Sequence, residues 1–228
     1  MDWEKIKKLN VRIEVPGRVK QFLFLILGTY FLTALSNEVI DYLPLRIYRI
    51  ACLLAPFVVA FPAMVIYQKN KSIFKNIFGK RIVLQIFLGI VVAAIMLWIL
   101  AMVSGGLSYS ITVTLFDRYN WYKIYITVYY LLIVNFTEEF VYRVVLQGLI
   151  VDLLKKVKFI APLITAVFFA LGHCWLGESS VVSATFVMGV IWGYLKYLNN
   201  NSFYVASSVA HGLYNYGIVL IPYVLECL

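Results

Sequence analysis

The sequence predicts an all-α membrane protein, a polytopic bundle of about seven transmembrane helices closed around an intramembrane polar site. Three observations predict it. The 228 residues are 63% hydrophobic and only 14% charged, whereas a soluble domain is roughly half apolar and a quarter charged. The mean hydropathy is +0.87, and the apolar residues fall in runs of spanning length separated by basic or polar loops. The charges within those runs concentrate in one place, at Glu138, Glu139 and Arg143. The net charge of +9 falls between the runs, where membrane topology accounts for it, so the bilayer rather than nucleic acid is the expected partner.

Taken in order, residues 1–20 form a basic leader, expected in the cytoplasm. The first apolar run is Phe22 to Leu35. Ala34-Leu35-Ser36 faintly resembles a signal-peptidase site, but the long leader and six further runs favour a retained span. The second run, Ile47 to Ile66, contains Pro56 and Pro62 and is expected to kink. The third is Ile82 to Val103, and the mixed segment Leu107 to Tyr122 reads as an outer loop. The fourth runs from Ile124 to about Leu154, the fifth from Phe159 to Trp175, and the sixth from Val181 to Tyr197. A polar turn, Asn199-Asn200-Asn201, leads to the seventh, Phe203 to Leu225. Residues 21–121 show only generic membrane helices.

Loop charge predicts orientation. With the N-terminus inside, 15 of the 20 Lys and Arg residues lie in inner segments, Lys196 among them. Only Arg46, Arg49, Arg118 and Lys123 lie outside, and Arg143 is inside a span. The positive-inside rule therefore places the N-terminus in the cytoplasm and the C-terminus outside. Cys52, Cys174 and Cys227 are widely scattered and have no metal or redox spacing.

A charge at the bilayer centre costs roughly 2.5–3.5 kcal/mol on insertion scales, so the Glu-Glu stretch is a site hypothesis by default. Glu139 and Arg143 are four apart and pair on one helix face. A structural ion pair accounts for those two, but leaves Glu138 without a partner and about 100° round the helix. At about 1.5 Å per residue, Glu138 is roughly 21 Å above Asp152, His173 roughly 22 Å above Lys158, and His211 about 15–22 Å above the inner end of its helix. A lone histidine on an apolar helix is ordinarily a packing residue; two histidines and two carboxylates at one depth are a site. Phe169 precedes His173 by four and can wall one side of its ring, and Asn215 follows His211 by four on the same face. Phe186, Gly189 and Gly193 form a small-residue face suited to helix packing.

Glu138-Glu139-x-x-x-Arg143, Phe169-x-x-x-His173, Phe186-x-x-Gly189-x-x-x-Gly193 and His211-x-x-x-Asn215 together resemble the four ordered motifs of the CPBP family. That family contains the type II CAAX prenyl endopeptidases and the bacterial Abi proteins, and is also described as intramembrane glutamic proteases. The resemblance covers roughly residues 122–220, within a catalytic membrane region of residues 122–228. It implies that Glu138, assisted by His173, activates a water, while His211 and Asn215 receive the developing oxyanion. Glu139 and Arg143 would then shape the site or engage the substrate's C-terminus, with no cofactor. The chemistry agrees: a base for water contributes about 10²–10⁴ in rate and one oxyanion donor about 10²–10³.

Two other readings compete with the metal-independent endopeptidase. Two imidazoles and a carboxylate can hold zinc with one open position, although no His-Glu-x-x-His is present. The same fold also serves non-catalytic bacteriocin-immunity or scaffold proteins. The expected partner is a peptide or protein, either a prenylated CAAX-type C-terminus or a precursor such as that of a bacteriocin.

Overall fold

The computed structural model describes residues 17–42, 45–71, 81–103, 133–174 and 179–226. The first part of the leader and the Leu107–Tyr122 segment lie outside them. Among the described residues every regular element is helical, and they make seven helical rods. Three carry a stretch long and apolar enough to cross a bilayer: Gly17–Ser36, Ile82–Met102 and Val181–Leu198.

Helices α1 (Gly17–Asp41) and α2 (Leu45–Lys69) have 25 residues each and pack on one another. Pro56 and Pro62 both lie within α2. Pro62 lies close against α1: a Cβ on Gly28 would lie 2.9 Å from Pro62 Cγ. Helix α3 (Ile82–Val103) has 22 residues, about 33 Å of rise, which matches a hydrocarbon core of about 30 Å. Large apolar side chains point outward along these rods, Leu27, Phe31, Val83 and Trp98 among them. In water such a surface would aggregate; facing acyl chains it is the stable arrangement.

The Glu-Glu rod has three parts: α4 (Asn135–Glu139), a π-helical segment (Phe140–Leu146) and α5 (Gln147–Leu153). Asn135, Glu139, Arg143 and Gln147 recur every four residues along it, and all four are fully buried. On an α-helix a four-residue step overshoots one turn by about 40°, so such a stripe would drift round the rod. The wider π turn takes up that drift and keeps the stripe facing inward.

A short 3₁₀ turn (Lys158–Ile160) leads into α6 (Ala161–Leu171), followed by α7 (Ser179–Asn201) and α8 (Tyr204–Glu226). Helix α7 packs on α6, and α8 on α3 and α7. Gly193 and Gly189 make the α6–α7 contact: a Cβ on Gly193 would lie 3.1 Å from Pro162 Cβ, and one on Gly189 3.2 Å from Ala166 Cβ. The next rung at this spacing is buried Thr185, not Phe186, which is exposed. Phe186 therefore drops out of the expected packing face, being about 100° round from Thr185.

Two other expectations change. Lys196 is not a loop cation. It is 2% exposed within α7, and its ammonium donates to the Asn201 carbonyl. The helix reaches Asn201 because Asn200 and Asn201, at φ 59° and 62°, turn the chain in the left-handed region that asparagine tolerates. Arg18 Nε lies 2.9 Å from Asp152 Oδ2, and Arg18 also donates to Asn70 Oδ1. Residues 18, 70 and 152 thus share one end of the bundle.

Candidate functional site

The site is built where the Glu-Glu rod faces α8. The two run antiparallel, and their polar residues, four apart on each, meet rung by rung. Asn215 Nδ2 donates to Asn135 Oδ1 at 2.9 Å, and one rung on His211 Nδ1 lies 3.1 Å from Glu139 Oε1. A carboxylate at this position accepts, so Nδ1 carries the proton. Helix α8 is fixed at its start by Tyr204 Oη donating to the Phe136 carbonyl at 2.9 Å and by Gln85 Oε1 accepting from Val205 N at 3.1 Å. The second bond satisfies one of the amides that a helix N-terminus leaves open.

Glu139 and Arg143 are the buried pair expected from their spacing, with Arg143 Nε 3.5 Å from Glu139 Oε1 and both side chains fully buried. The π turn separates them more than an α-helical pair, and the guanidinium instead lies 4.8 Å from the centroid of the Phe169 ring. Glu138 departs from expectation. It is not partnerless, because His211 Nε2 lies 3.7 Å from its Oε2. The adjacent carboxylates leave different faces of the rod and reach the two nitrogens of one imidazole.

His173 also departs from its expected place. Helix α6 ends at Leu171, so His173 stands in the turn beyond it rather than on the helix. Its Nδ1 lies 2.8 Å from the Phe169 carbonyl, which it caps by donating a proton to one of the last open acceptors of α6. In the neutral ring that leaves Nε2 as an acceptor.

Phe169 is 1% exposed and is the hub. Its ring centroid is 4.8 Å from that of His173 and 5.8 Å from that of His211. It is also 5.1 Å from Tyr142 and 5.9 Å from Trp192. Trp192 stacks on His211 at 3.8 Å with the planes 19° apart, which with Glu139 holds the imidazole in plane and in rotation. Nothing in the sequence singled out Trp192, Tyr142, Asn135 or Gln147. The recurrence of Asn135, Glu139, Arg143 and Gln147 at intervals of four was the available signal.

A cavity of about 180 Å³ opens beside the rod, between it, α1 and α2. Its wall includes Thr33 and Ser36 of α1, Pro56 of α2, and Glu138, Tyr142 and His173. A water occupies about 30 Å³ in the liquid, so a water and a peptide carbonyl fit together. His211 and Asn215 are not part of that wall. Among the described residues, no group of three His, Cys, Asp or Glu side chains is arranged to hold a metal ion.

Fold and site together define a helical membrane protein with a buried acid–imidazole centre. Residues 120–217 match the family of Rce1-like type II CAAX prenyl endopeptidases. That stretch is similar to an Rce1-like domain, which supports the resemblance of the motif region to the CPBP family of CAAX-type membrane proteases. No curated protein and no solved structure matches the chain.

Proposed function

We propose that this protein is a metal-independent intramembrane endopeptidase in which Glu138 and His173 activate a water. The observation that carries this reading is that both side chains lie in the wall of one cavity within the bundle. Glu138 takes a proton from the water as its oxygen adds to the peptide carbonyl, and His173 Nε2 holds that water by accepting its other hydrogen. His211 and Asn215, on α8 where it faces the rod, supply further donors for the tetrahedral oxygen once substrate is bound. Glu139 and Arg143 set the position of His211 and Phe169. Collapse breaks the C–N bond, and the leaving amine recovers the proton from Glu138. No cofactor takes part.

The substrate is a peptide near the membrane surface, with a prenylated Cys-aliphatic-aliphatic-X C-terminus as the form the family favours. The apolar wall that α2 contributes supports it. The protein sits in the cell membrane with its N-terminus in the cytoplasm and its C-terminus outside.

The test uses the full chain in nanodiscs with a farnesylated peptide ending in Cys-aliphatic-aliphatic-X, followed by mass spectrometry. Release of the C-terminal tripeptide, undiminished by a chelator, is expected. Release that stops with chelator and returns with zinc assigns a metalloprotease. No release from this or an unprenylated peptide assigns a non-catalytic role.

A further inference from the structure

The face of the rod that carries Glu138 carries Tyr142 one turn later, and both line the cavity. The Tyr142 ring is held by Phe169, edge to face at 84°, which fixes where its hydroxyl points. That hydroxyl lies over Gly172, the residue before His173: a Cβ there would meet Tyr142 Oη at 2.5 Å. Glycine at 172 thus leaves the space in which a phenol reaches the cavity beside His173. A second phenol, Tyr30, approaches the same turn but donates to the Phe168 carbonyl at 2.6 Å. Tyr142 makes no hydrogen bond among the described residues.

The donors on α8 are differently placed. Asn215 gives its amide to Asn135, His211 gives Nδ1 to Glu139, and neither lines the cavity. We propose that the Tyr142 hydroxyl is a catalytic hydrogen-bond donor of this site, directed at the carbonyl oxygen of the scissile peptide bond. This rests on the endopeptidase reading. As water oxygen adds to the carbonyl carbon and its proton passes to Glu138, the C=O electron pair moves onto oxygen. That oxyanion accepts the Tyr142 O–H bond, which strengthens as charge develops. Tyr142 keeps its proton throughout, and the bond relaxes when the C–N bond breaks and the carbonyl re-forms.

The test uses the farnesylated peptide and the nanodisc protein, comparing wild type, Glu138→Gln, Tyr142→Phe, Gly172→Ala and the Tyr142→Phe/Gly172→Ala double variant. In Tyr142→Phe, kcat and kcat/KM are expected to fall together by about 10²-fold, the mark of an interaction made in the transition state, while Tm is unchanged. Gly172→Ala, which displaces the hydroxyl, lowers kcat in the wild-type background and adds no further loss in Tyr142→Phe. A wild-type kcat in Tyr142→Phe, a rise in KM alone, or losses that multiply in the double variant would overturn the proposal. If wild type turns over no faster than Glu138→Gln, the endopeptidase reading itself has failed.

Discussion

His211 Nδ1 lies 3.1 Å from Glu139 Oε1, so the deeper of the two adjacent carboxylates orients the imidazole that the other carboxylate approaches at 3.7 Å. Glu139 is fully buried, and Arg143 is its cation. Removing one partner of such a pair strands the other charge and costs about 3–5 kcal/mol. Arg143→Ala and Glu139→Ala are each expected to lower the melting temperature in detergent. The double variant should lose less than the two single losses combined, because the residues are in contact. Glu138, whose side chain is 30% exposed, carries a smaller burial cost, and Glu138→Ala is expected to melt at or above wild type. A thermal-shift series over these variants decides it. Collapse of Glu138→Ala with stable Arg143→Ala would reverse the assignment of the two carboxylates.

Trp192 is 1% exposed and stacks on His211. Trp192→Ala opens a cavity beside the imidazole and is expected to cost about 3–5 kcal/mol. Trp192→Phe keeps an aromatic face there and should retain most turnover at a smaller loss of stability. Denaturation and turnover, measured on both variants, check this. Equal loss of turnover in both would mean that stacking is not what holds His211.

Helix α3 supports α8 through a glycine contact. A Cβ on Gly89 would meet the Ala206 carbonyl oxygen and Val209 Cβ, both at 2.8 Å. Backbone on one side leaves little room to adjust, so Gly89→Ala is expected to destabilise by about 1–3 kcal/mol and to lower turnover by shifting α8. A wild-type melting temperature would show that the helices are not held this closely.

Orientation is tested by labelling single-cysteine reporters in a background without Cys52, Cys174 and Cys227. An impermeant thiol reagent added outside should modify a reporter at Asn120 but none at Lys71 or Lys156. Modification at Lys156 would invert the topology.

Much of this site could be read from the sequence because it is written at intervals of four. Glu139 and Arg143, Phe169 and His173, and His211 and Asn215 each betray a shared face, and the apolar runs located the helices that carry them. What escaped has identifiable causes. The π segment leaves no mark in a hydrophobic period, so the separation of Arg143 from Glu139 and the compensated stripe from Asn135 to Gln147 were not visible. The apolar run continues to Trp175 and so extends the expected helix over His173, whereas the side chain caps the α6 end. Trp192 and Tyr142 look like any aromatic residue in a membrane helix, where lipid-facing and site-facing rings have the same composition. Lys196 sits beside an asparagine turn and imitates a loop cation. Its burial becomes evident only when Asn200 and Asn201 fold the chain back over it.

The central claim is that Glu138 is the base, and one measurement bears on it most directly. The farnesylated peptide is offered to wild type and Glu138→Gln in nanodiscs under saturating conditions, with melting temperature recorded on the same samples. The account predicts a fall in kcat of about 10²–10⁴-fold, the contribution of a general base, with the fold intact. A Glu138→Gln variant that melts like wild type and releases the tripeptide at the wild-type rate would contradict it.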